Sequence, residues 1–247
     1  MLNKNLAMLP LTALLCVACN TPPTPQNYTE IGPYPAPPQQ DEDRSLPIVY
    51  VSFIYTTNTP QARVFDNKRQ MLKETQILNQ YFVDENNHKI FRFKPYRYYS
   101  YQNFSKRKCE LANQLNQPRP LVPENIPAAI KSCIPTRNAK EIFIIIYDAY
   151  NDKLKYNDVT SWGFRNNGSP FTLIDWKRLN YQIQAAQPHE MGHAFGLGHV
   201  CTPNATLKTP TNIMSSGECK LGTGGLRNIG FNQTQYNTIM KSYEKLN

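Results

Sequence analysis

The chain has 247 residues, of which 40% are hydrophobic and 18% are charged. This composition excludes a disordered polyelectrolyte and leaves enough apolar side chains for one large core or two small ones. The formal net charge of +9 favours an anionic partner.

Residues 1–18 are predicted to be an export signal. Lys4 is followed by the apolar run LAMLPLTALLCVA, which is too short to span a bilayer. The run ends in CVAC and resembles a bacterial lipoprotein signal, although Cys16 departs from that pattern. The resemblance implies lipid attachment to Cys19 and a membrane-anchored protein of the cell envelope. The alternative is an ordinary signal peptide cut near Ala18, which gives a secreted protein.

Residues 19–46 are predicted to be a tether. Seven prolines in this stretch favour extended polyproline geometry and do not favour a core. From Pro47 to the end the sequence has the pattern of one folded domain, which is the third predicted segment, 47–247.

The elements of that domain predict a mixed α/β (α+β) fold with one five-stranded sheet. The predicted strands are PIVYVSFIY (47–55), HKIFRFKPYRY (88–98), EIFIIIYDAY (141–150), TSWGFRNN (160–167) and PFTLIDWKRL (170–179). The third is the most apolar and should be central, and a turn at NNGS joins the last two. Helical spacing is found in residues 59–82, 109–115 and 231–246. In the first of these helices, one face should carry Val64, Met71, Ile77, Leu78 and Phe82.

The run from Lys89 to Lys108 has seven basic residues, seven aromatic residues and no acid. In an exported protein this favours an anionic surface or an acidic peptide over nucleic acid as the partner. The alternative is a strand and loop with basic side chains in solvent and aromatic rings alternating into the core.

Four cysteines follow Cys19, and an even number in an exported chain favours disulfides. Three connectivities are possible. Proximity in the sequence favours Cys109 with Cys133, and Cys201 with Cys219. The four are too scattered to predict a zinc site made of thiolates.

Three of the four histidines fall within HEMGHAFGLGH, residues 189–199. On a helix, His189 and His193 project from one face about one turn apart, so both can reach one Zn²⁺ at about 2.0–2.1 Å. Glu190 is offset by about 100°, which suits it to a metal-bound water better than to the metal. The pattern predicts a hydrolytic zinc site, and buried structural histidines are the weaker alternative.

Gly196 is predicted to bring in the third ligand. Three residues after His193, a glycine can take a positive φ and end the helix in a sharp turn. Without that turn, His199 would lie about 15 Å along the axis from His189.

Three neighbouring residues affect the same helix. Gly198 is expected to loosen the turn, and close packing is the only role suggested for Gly192. Pro188 implies that the helix starts near Gln187 or is kinked there.

The pattern His-Glu-x-x-His-x-x-Gly-x-x-His resembles the motif of the metzincin zinc endopeptidases. The resemblance implies a metzincin-like fold, with a methionine turn beneath the zinc site and a C-terminal helix after it. Met214 in TNIMSSG matches that methionine, and ordinary core packing is the alternative. Val200 indicates no subfamily, and Ser216 stands where some members have a tyrosine near the zinc.

The resemblance also implies how substrate binds. An extended peptide would pair with an edge strand within TSWGFRNNG, residues 160–168. Residues 215–232 would wall the pocket for the first residue beyond the cleaved bond, and Arg227 would favour an acidic side chain there.

The sequence therefore predicts a zinc-dependent endopeptidase acting on extracellular or cell-surface proteins. One catalytic Zn²⁺ would be held by His189, His193 and His199, and Glu190 would be the general base for a water activated by the metal. The alternatives are a surface-anchored binding protein with a structural zinc site and a zinc hydrolase of cell-wall peptides.

Overall fold

The computed structural model describes residues 45–106, 110–115, 123–148, 161–163, 170–179, 186–217 and 223–246. The predicted export signal, Cys19 and nearly all of the predicted tether lie outside these ranges and stay predictions. Within the described ranges, no helix has the length and apolar character needed to cross a bilayer.

Strands and helices alternate along the first part of the domain. The strands are β1 (Ile48–Tyr55), β2 (Arg92–Tyr99), β3 (Glu141–Tyr147), β4 (Ser161–Gly163) and β5 (Phe171–Asp175). The α-helices are α1 (Pro60–Arg63), α2 (Lys68–Tyr81), α3 (Tyr101–Ser105), α4 (Leu111–Leu115), α5 (Ile126–Cys133), α6 (Ala186–Ala194) and α7 (Gln233–Glu244). Short 3₁₀ turns precede α5 and follow β5, at Pro123–Asn125 and Trp176–Arg178.

The sheet is mixed, with the strand order β2-β1-β3-β5-β4. The first four strands in that order are parallel, and β4 pairs antiparallel with β5. Every residue of β3 is buried because helices cover both faces of the sheet. The predicted mixed α/β architecture is confirmed, and β4 lies at an edge of the sheet.

Each face of the sheet has its own apolar core. One core joins the strands to α2, α6 and α7 and contains a cluster of phenylalanines: Phe82, Phe91, Phe93, Phe195 and Phe231. The other lies under α3, α4 and α5. The ring centroid of Phe195 is 5.0 Å from that of Phe91 and 5.8 Å from that of Phe82. Phe195 directly follows α6, so this aromatic cluster anchors the end of the histidine helix.

The predicted helix over residues 59–82 is divided in the structure. Residues 64–67 separate α1 from α2, and Asn67 begins α2 by accepting a hydrogen bond from the backbone N–H of Gln70 at 2.8 Å. Asparagine is favoured there because it satisfies a donor that has no partner inside the helix. Val64 lies in the break and is 67% exposed, so it does not share a helical face with the others as predicted. The other four residues predicted for that face are buried: Met71, Ile77, Leu78 and Phe82.

The helix α5 was not among the predicted elements, which include nothing between residues 115 and 141. Its Pro127 falls in the first turn, where a missing N–H breaks no helical hydrogen bond. Cys133 at its end is buried, and Cys201 is exposed. Cys109 and Cys219 lie outside the described residues, so both disulfide pairings stay predictions.

The basic and aromatic run forms β2 and α3. Phe91, Phe93 and Phe104 are buried in the two cores, whereas Tyr96 is 47% exposed. The rings therefore divide between core and surface, as the plainer interpretation expects. Binding of an anionic surface by this run stays a prediction.

Candidate metal centre

The first two histidines of the motif are placed by α6. Within the described residues this helix begins at Ala186, which places Pro188 in its first turn, where a missing N–H costs no hydrogen bond. Residues 180–185 lie outside the described residues, so the predicted start near Gln187 stays a prediction. α6 packs against α2 and β5 on one side and reaches β4 at the sheet edge.

Three imidazole nitrogens converge beside α6. Nε2 of His193 lies 3.2 Å from Nε2 of His189 and 3.0 Å from Nε2 of His199. Three nitrogens bound tetrahedrally to one zinc ion at about 2.0–2.1 Å would be about 3.3 Å apart. Among the described residues, these three form the only group of His, Cys, Asp or Glu with the spacing of metal ligands. The three histidines can therefore bind a metal ion.

Backbone carbonyls orient two of the rings. Nδ1 of His189 is 2.8 Å from the carbonyl oxygen of Ile213, and Nδ1 of His193 is 2.7 Å from that of Leu197. A carbonyl only accepts, so each Nδ1 carries the proton and each Nε2 presents a lone pair. The Nε2 atoms of His189 and His193 are 3.2 Å apart, and neither carries a proton, so they form no hydrogen bond with each other. The donor set thus fits a divalent cation, and imidazole ligands suit zinc.

Exposure increases along the triad. His189 is 3% exposed, His193 is half-buried, and His199 lies at the surface. Loss of hydration lowers the pKa of His189 well below its usual value, and the positive charge of Arg227 lowers it further. His189 therefore stays neutral at neutral pH, which keeps its Nε2 lone pair available to a metal.

The turn predicted at Gly196 is present in the structure. Its φ is 91°, its N–H bonds the carbonyl of His193 at 2.8 Å, and the next N–H, of Leu197, bonds the carbonyl of Gly192 at 3.0 Å. This pair of bonds is the Schellman motif, in which glycine is favoured because it has no Cβ. The same turn brings the Leu197 carbonyl onto His193 and returns His199 to the site.

The two neighbouring glycines differ from each other. Gly198 has no positive φ, and a Cβ there would meet nothing within 4 Å, so neither backbone conformation nor space requires a glycine at this position. Its expected loosening of the turn stays a prediction. A Cβ at Gly192 would overlap Sδ of Met214 and lie 3.3 Å from its Cε. Met214 is fully buried. The absence of a side chain at Gly192 therefore lets Met214 pack directly beneath the histidine helix.

Gly196→Ala should cost about 1–2 kcal/mol, because an L-residue is strained in the left-handed conformation. The nearest atom to the new Cβ is Oγ of Ser242 at 3.4 Å, so the cost comes from the backbone and not from a clash. If the turn adopts an unstrained conformation in the metal-free variant, zinc binding must restore the strained one, and zinc affinity falls about 5- to 30-fold. If the turn stays strained without metal, the free energy of unfolding of the metal-free protein falls instead. Chelator competition measures the zinc affinity, and urea unfolding without metal measures the free energy of unfolding.

Gly198→Ala is the matched control for that substitution. It should change both quantities by less than about 0.5 kcal/mol, because the position is open and unstrained. Equal effects of the two substitutions would contradict the role assigned to the turn.

The loop of residues 211–216 positions two of the three histidines. The Ile213 carbonyl holds His189, and the Met214 carbonyl accepts a hydrogen bond from the N–H of Val200, next to His199, at 2.8 Å. Sequence reasoning missed these contacts because backbone carbonyls carry no signal in the sequence. Met214 was singled out through its resemblance to the metzincin methionine; it is buried against Gly192 of the histidine helix, and its role as a methionine turn stays a prediction.

The loop is in turn held by α7. Oδ1 of Asn212 accepts a hydrogen bond from the N–H of Met214 at 2.9 Å, and its Nδ2 donates to Oε1 of Gln235 at 3.0 Å. Gln235 also belongs to the capping box that starts α7 with Asn232. The terminal helix is thus connected to the histidines through one amide pair.

The edge strand β4 lies directly against the histidine helix. A Cβ at Gly163 would overlap the carbonyl oxygen of Glu190 and come within 2.6 Å of Cβ of His193. The Glu190 residue is 5% exposed. The predicted base and the predicted substrate strand are therefore in contact.

Arg227 lies beside the triad, on the segment predicted to wall the substrate pocket. Its Nε donates to the carbonyl oxygen of Ser215 at 2.8 Å. The pKa of Arg227 is lowered to about 10, chiefly by burial and also by the charge of Arg178, while the charge of Glu190 opposes the shift. Arg178, at the end of the 3₁₀ turn after β5, was not singled out from the sequence.

Comparison with known proteins leaves the family open. No family model matches the chain, and no curated protein matches it. Among solved structures, the chain is similar to archaemetzincin from Methanopyrus kandleri, with a TM-score of 0.42 and 11% identity over 79% of this chain and 96% of that chain. Since so loose a likeness carries no argument, functional conclusions rest on the three converging histidines and their surroundings.

Proposed function

We propose that this protein is a zinc-dependent endopeptidase. The observation that carries the proposal is the convergence of three imidazole Nε2 atoms at 3.0 and 3.2 Å, two of them with their protons held on Nδ1 by backbone carbonyls. A buried carboxylate, Glu190, adjoins the first of them in the sequence.

His189, His193 and His199 would hold the metal through Nε2. Zinc bound by three neutral imidazoles supplies a Lewis acid and lowers the pKa of a water molecule in its open position. The carboxylate of Glu190 would accept a proton from that water and pass it to the nitrogen of the leaving amine. Met214 would keep the ligand helix in place from below.

The substrate would bind along β4. This strand pairs with β5 on one side, and its other side is an edge of the sheet within the described residues. An extended peptide can add to such an edge by backbone hydrogen bonds. Because Gly163 abuts α6 at Glu190, a peptide on β4 would pass close to the histidines. Pairing along an edge needs no free chain terminus, which favours cleavage inside a chain.

The sequence of residues 1–19 supports an exported, lipid-anchored enzyme. The substrates would then be extracellular or cell-surface proteins. Cell-wall peptides are the other substrate class available to an enzyme in that place.

A binding protein with a structural zinc site is favoured less. Structural zinc is almost always held by four protein ligands in a closed site. Here no fourth His, Cys, Asp or Glu joins the triad among the described residues, and His199 is exposed. An accessible site with three ligands is the arrangement that catalysis requires.

Metal removal tests the proposal. We expect one zinc ion per purified chain by elemental mass spectrometry, and internal cleavages when a denatured proteome is digested. A chelator should abolish the cleavages and added zinc should restore them. If the enzyme cleaves isolated cell-wall peptides but no proteins, the substrate class is cell-wall peptides and not proteins. A chain with stoichiometric zinc and no hydrolysis of either would support the binding protein and contradict the proposal.

A further inference from the structure

Part of β2 carries basic and aromatic side chains on one face of the sheet. The register pairs Tyr50 of β1 with Lys94, so the two side chains project from the same face, and Arg92 shares that face two positions earlier. The ring centroid of Tyr96 lies 5.5 Å from that of Tyr50, and Cζ of Arg97 lies 5.0 Å from the Tyr96 centroid. These five residues, Tyr50, Arg92, Lys94, Tyr96 and Arg97, are called the β2 surface below.

The β2 surface is open to solvent. Tyr96 is 47% exposed, and Tyr50, Arg92 and Lys94 are half-buried. The helices α3, α4 and α5 cover the same face farther along the strands, where their core includes Ile54 but neither of the two tyrosines. The β2 surface therefore lies near the start of β1 and β2, at the edge of the sheet opposite β4.

The charge of the β2 surface is positive. Arg92 and Lys94 form no ion pair with another described residue. Glu141 pairs with Tyr50 on the same face, but it is fully buried and its Oε2 is bound by Nη2 of Arg97 at 2.6 Å. That carboxylate neutralises Arg97 and leaves two positive charges beside a half-exposed tyrosine ring. Such charges attract an anionic surface, and tyrosine rings suit the boundary between water and lipid.

The predicted tether reaches the domain beside this surface. The carbonyl oxygen of Pro47 accepts a hydrogen bond from the backbone N–H of Arg92 at 2.9 Å. From this point the chain leads back to Cys19, the predicted site of lipid attachment. A domain anchored here has the β2 surface within reach of the membrane that holds the anchor. An acyl group and basic residues together bind a membrane more firmly than either one alone.

We propose that the β2 surface docks on the anionic surface of a lipid bilayer, through the charges of Arg92 and Lys94 and the ring of Tyr96. Each basic residue close to such a surface contributes about 5-fold in affinity. Docking would turn the metal centre away from the bilayer, because α6 packs in the core of the opposite face. The strand β4 also lies four strand spacings from β2, about 19 Å.

Hydrogen exchange on vesicles tests the proposal. The full chain is mixed with vesicles of phosphatidylcholine, either alone or with phosphatidylglycerol, and exchange of the backbone amides is followed by mass spectrometry. A lipid-anchored chain associates with both kinds of vesicle, so exchange in residues 92–99 reports contact of the surface itself. We expect protection of residues 92–99 only on vesicles with phosphatidylglycerol, and loss of that protection at high salt.

Lys94→Gln should shift the docking equilibrium about 5-fold toward the undocked state, because one charge is removed. Lys73→Gln is the matched control, since Lys73 is exposed on α2, a helix that packs on the opposite face of the sheet. It changes the net charge equally and should leave the protection as in the wild type. Hydrolysis of a soluble peptide should be the same in both variants.

Three results would overturn the proposal. One is equal exchange of residues 92–99 on the two kinds of vesicle, and another is an equal effect of Lys94→Gln and Lys73→Gln. The third is protection by soluble polyglutamate but not by phosphatidylglycerol, which would assign an acidic peptide as the partner. None of these measurements needs hydrolysis, so the proposal and the proposed endopeptidase activity can fail separately.

Discussion

Glu190→Gln is expected to lower kcat by about 10²- to 10⁴-fold while the metal stays bound. The amide keeps the size of the carboxylate but cannot accept a proton, so the general base is lost. Zinc content should stay at the wild-type value because the converging ligands are the three histidines. Initial rates on a quenched peptide, together with elemental analysis, measure both quantities.

Glu124→Gln is the matched control for Glu190→Gln. Glu124 is an exposed glutamate in the 3₁₀ turn before α5, a helix that covers the opposite face of the sheet. The same change of chemistry there should leave rate and zinc content as they are. If Glu190→Gln retains a rate close to that of the wild type, another group is the base, and the mechanism proposed for this site is wrong.

Gly163→Ala should be the most disruptive change to the framework of the site. The added Cβ would overlap the carbonyl oxygen of Glu190, which is backbone and cannot rotate away. The strand β4 must therefore move from α6, at a cost in the free energy of unfolding near the upper end of overpacking effects, about 3 kcal/mol. Displacement of the edge strand should also lower kcat/KM on peptides, because substrate is proposed to pair with that strand.

The stability effect is checked by urea unfolding, with Gly198→Ala as a control that adds the same methyl group to an open position. A Gly163→Ala protein as stable and active as this control would show that β4 does not contact the helix in solution.

The histidine site could be predicted largely because its determinants are local. Four-residue spacing places His189 and His193 on one face of a helix whatever surrounds them. A glycine three residues later is a local signal for the end of that helix, and the structure has a φ of 91° there. The strand β3 was equally clear, since the six residues that follow Glu141 form an unbroken buried apolar run, which has few alternatives.

The supports of the site could not be predicted, because they join residues distant in sequence. The contact from His189 to the Ile213 carbonyl spans 24 positions and uses a backbone atom that any residue would supply. Gly192 could be interpreted only once Met214 was seen against it.

Errors at Val64 and in α5 have another cause. After Val64, the capping residue Asn67 starts a new helix although the apolar residues keep a helical period across the break. In α5, Pro127 stands in the first turn, so the proline marks the start of a helix and not a loop.

The carboxyl-terminal helix has a consequence for anyone who handles this protein. Asn212 and Gln235 exchange two amide hydrogen bonds of 3.0 Å, and Nζ of Lys140 binds the carbonyl oxygens of Tyr243 and Leu246 at 2.9 and 2.7 Å. The first turn of α7 thereby braces a loop 23 positions upstream that contacts His189, and the last turn is held by Lys140. Trimming the end of the chain, or fusing a bulky tag to it, is therefore expected to weaken retention of the proposed metal ion as well as to change solubility.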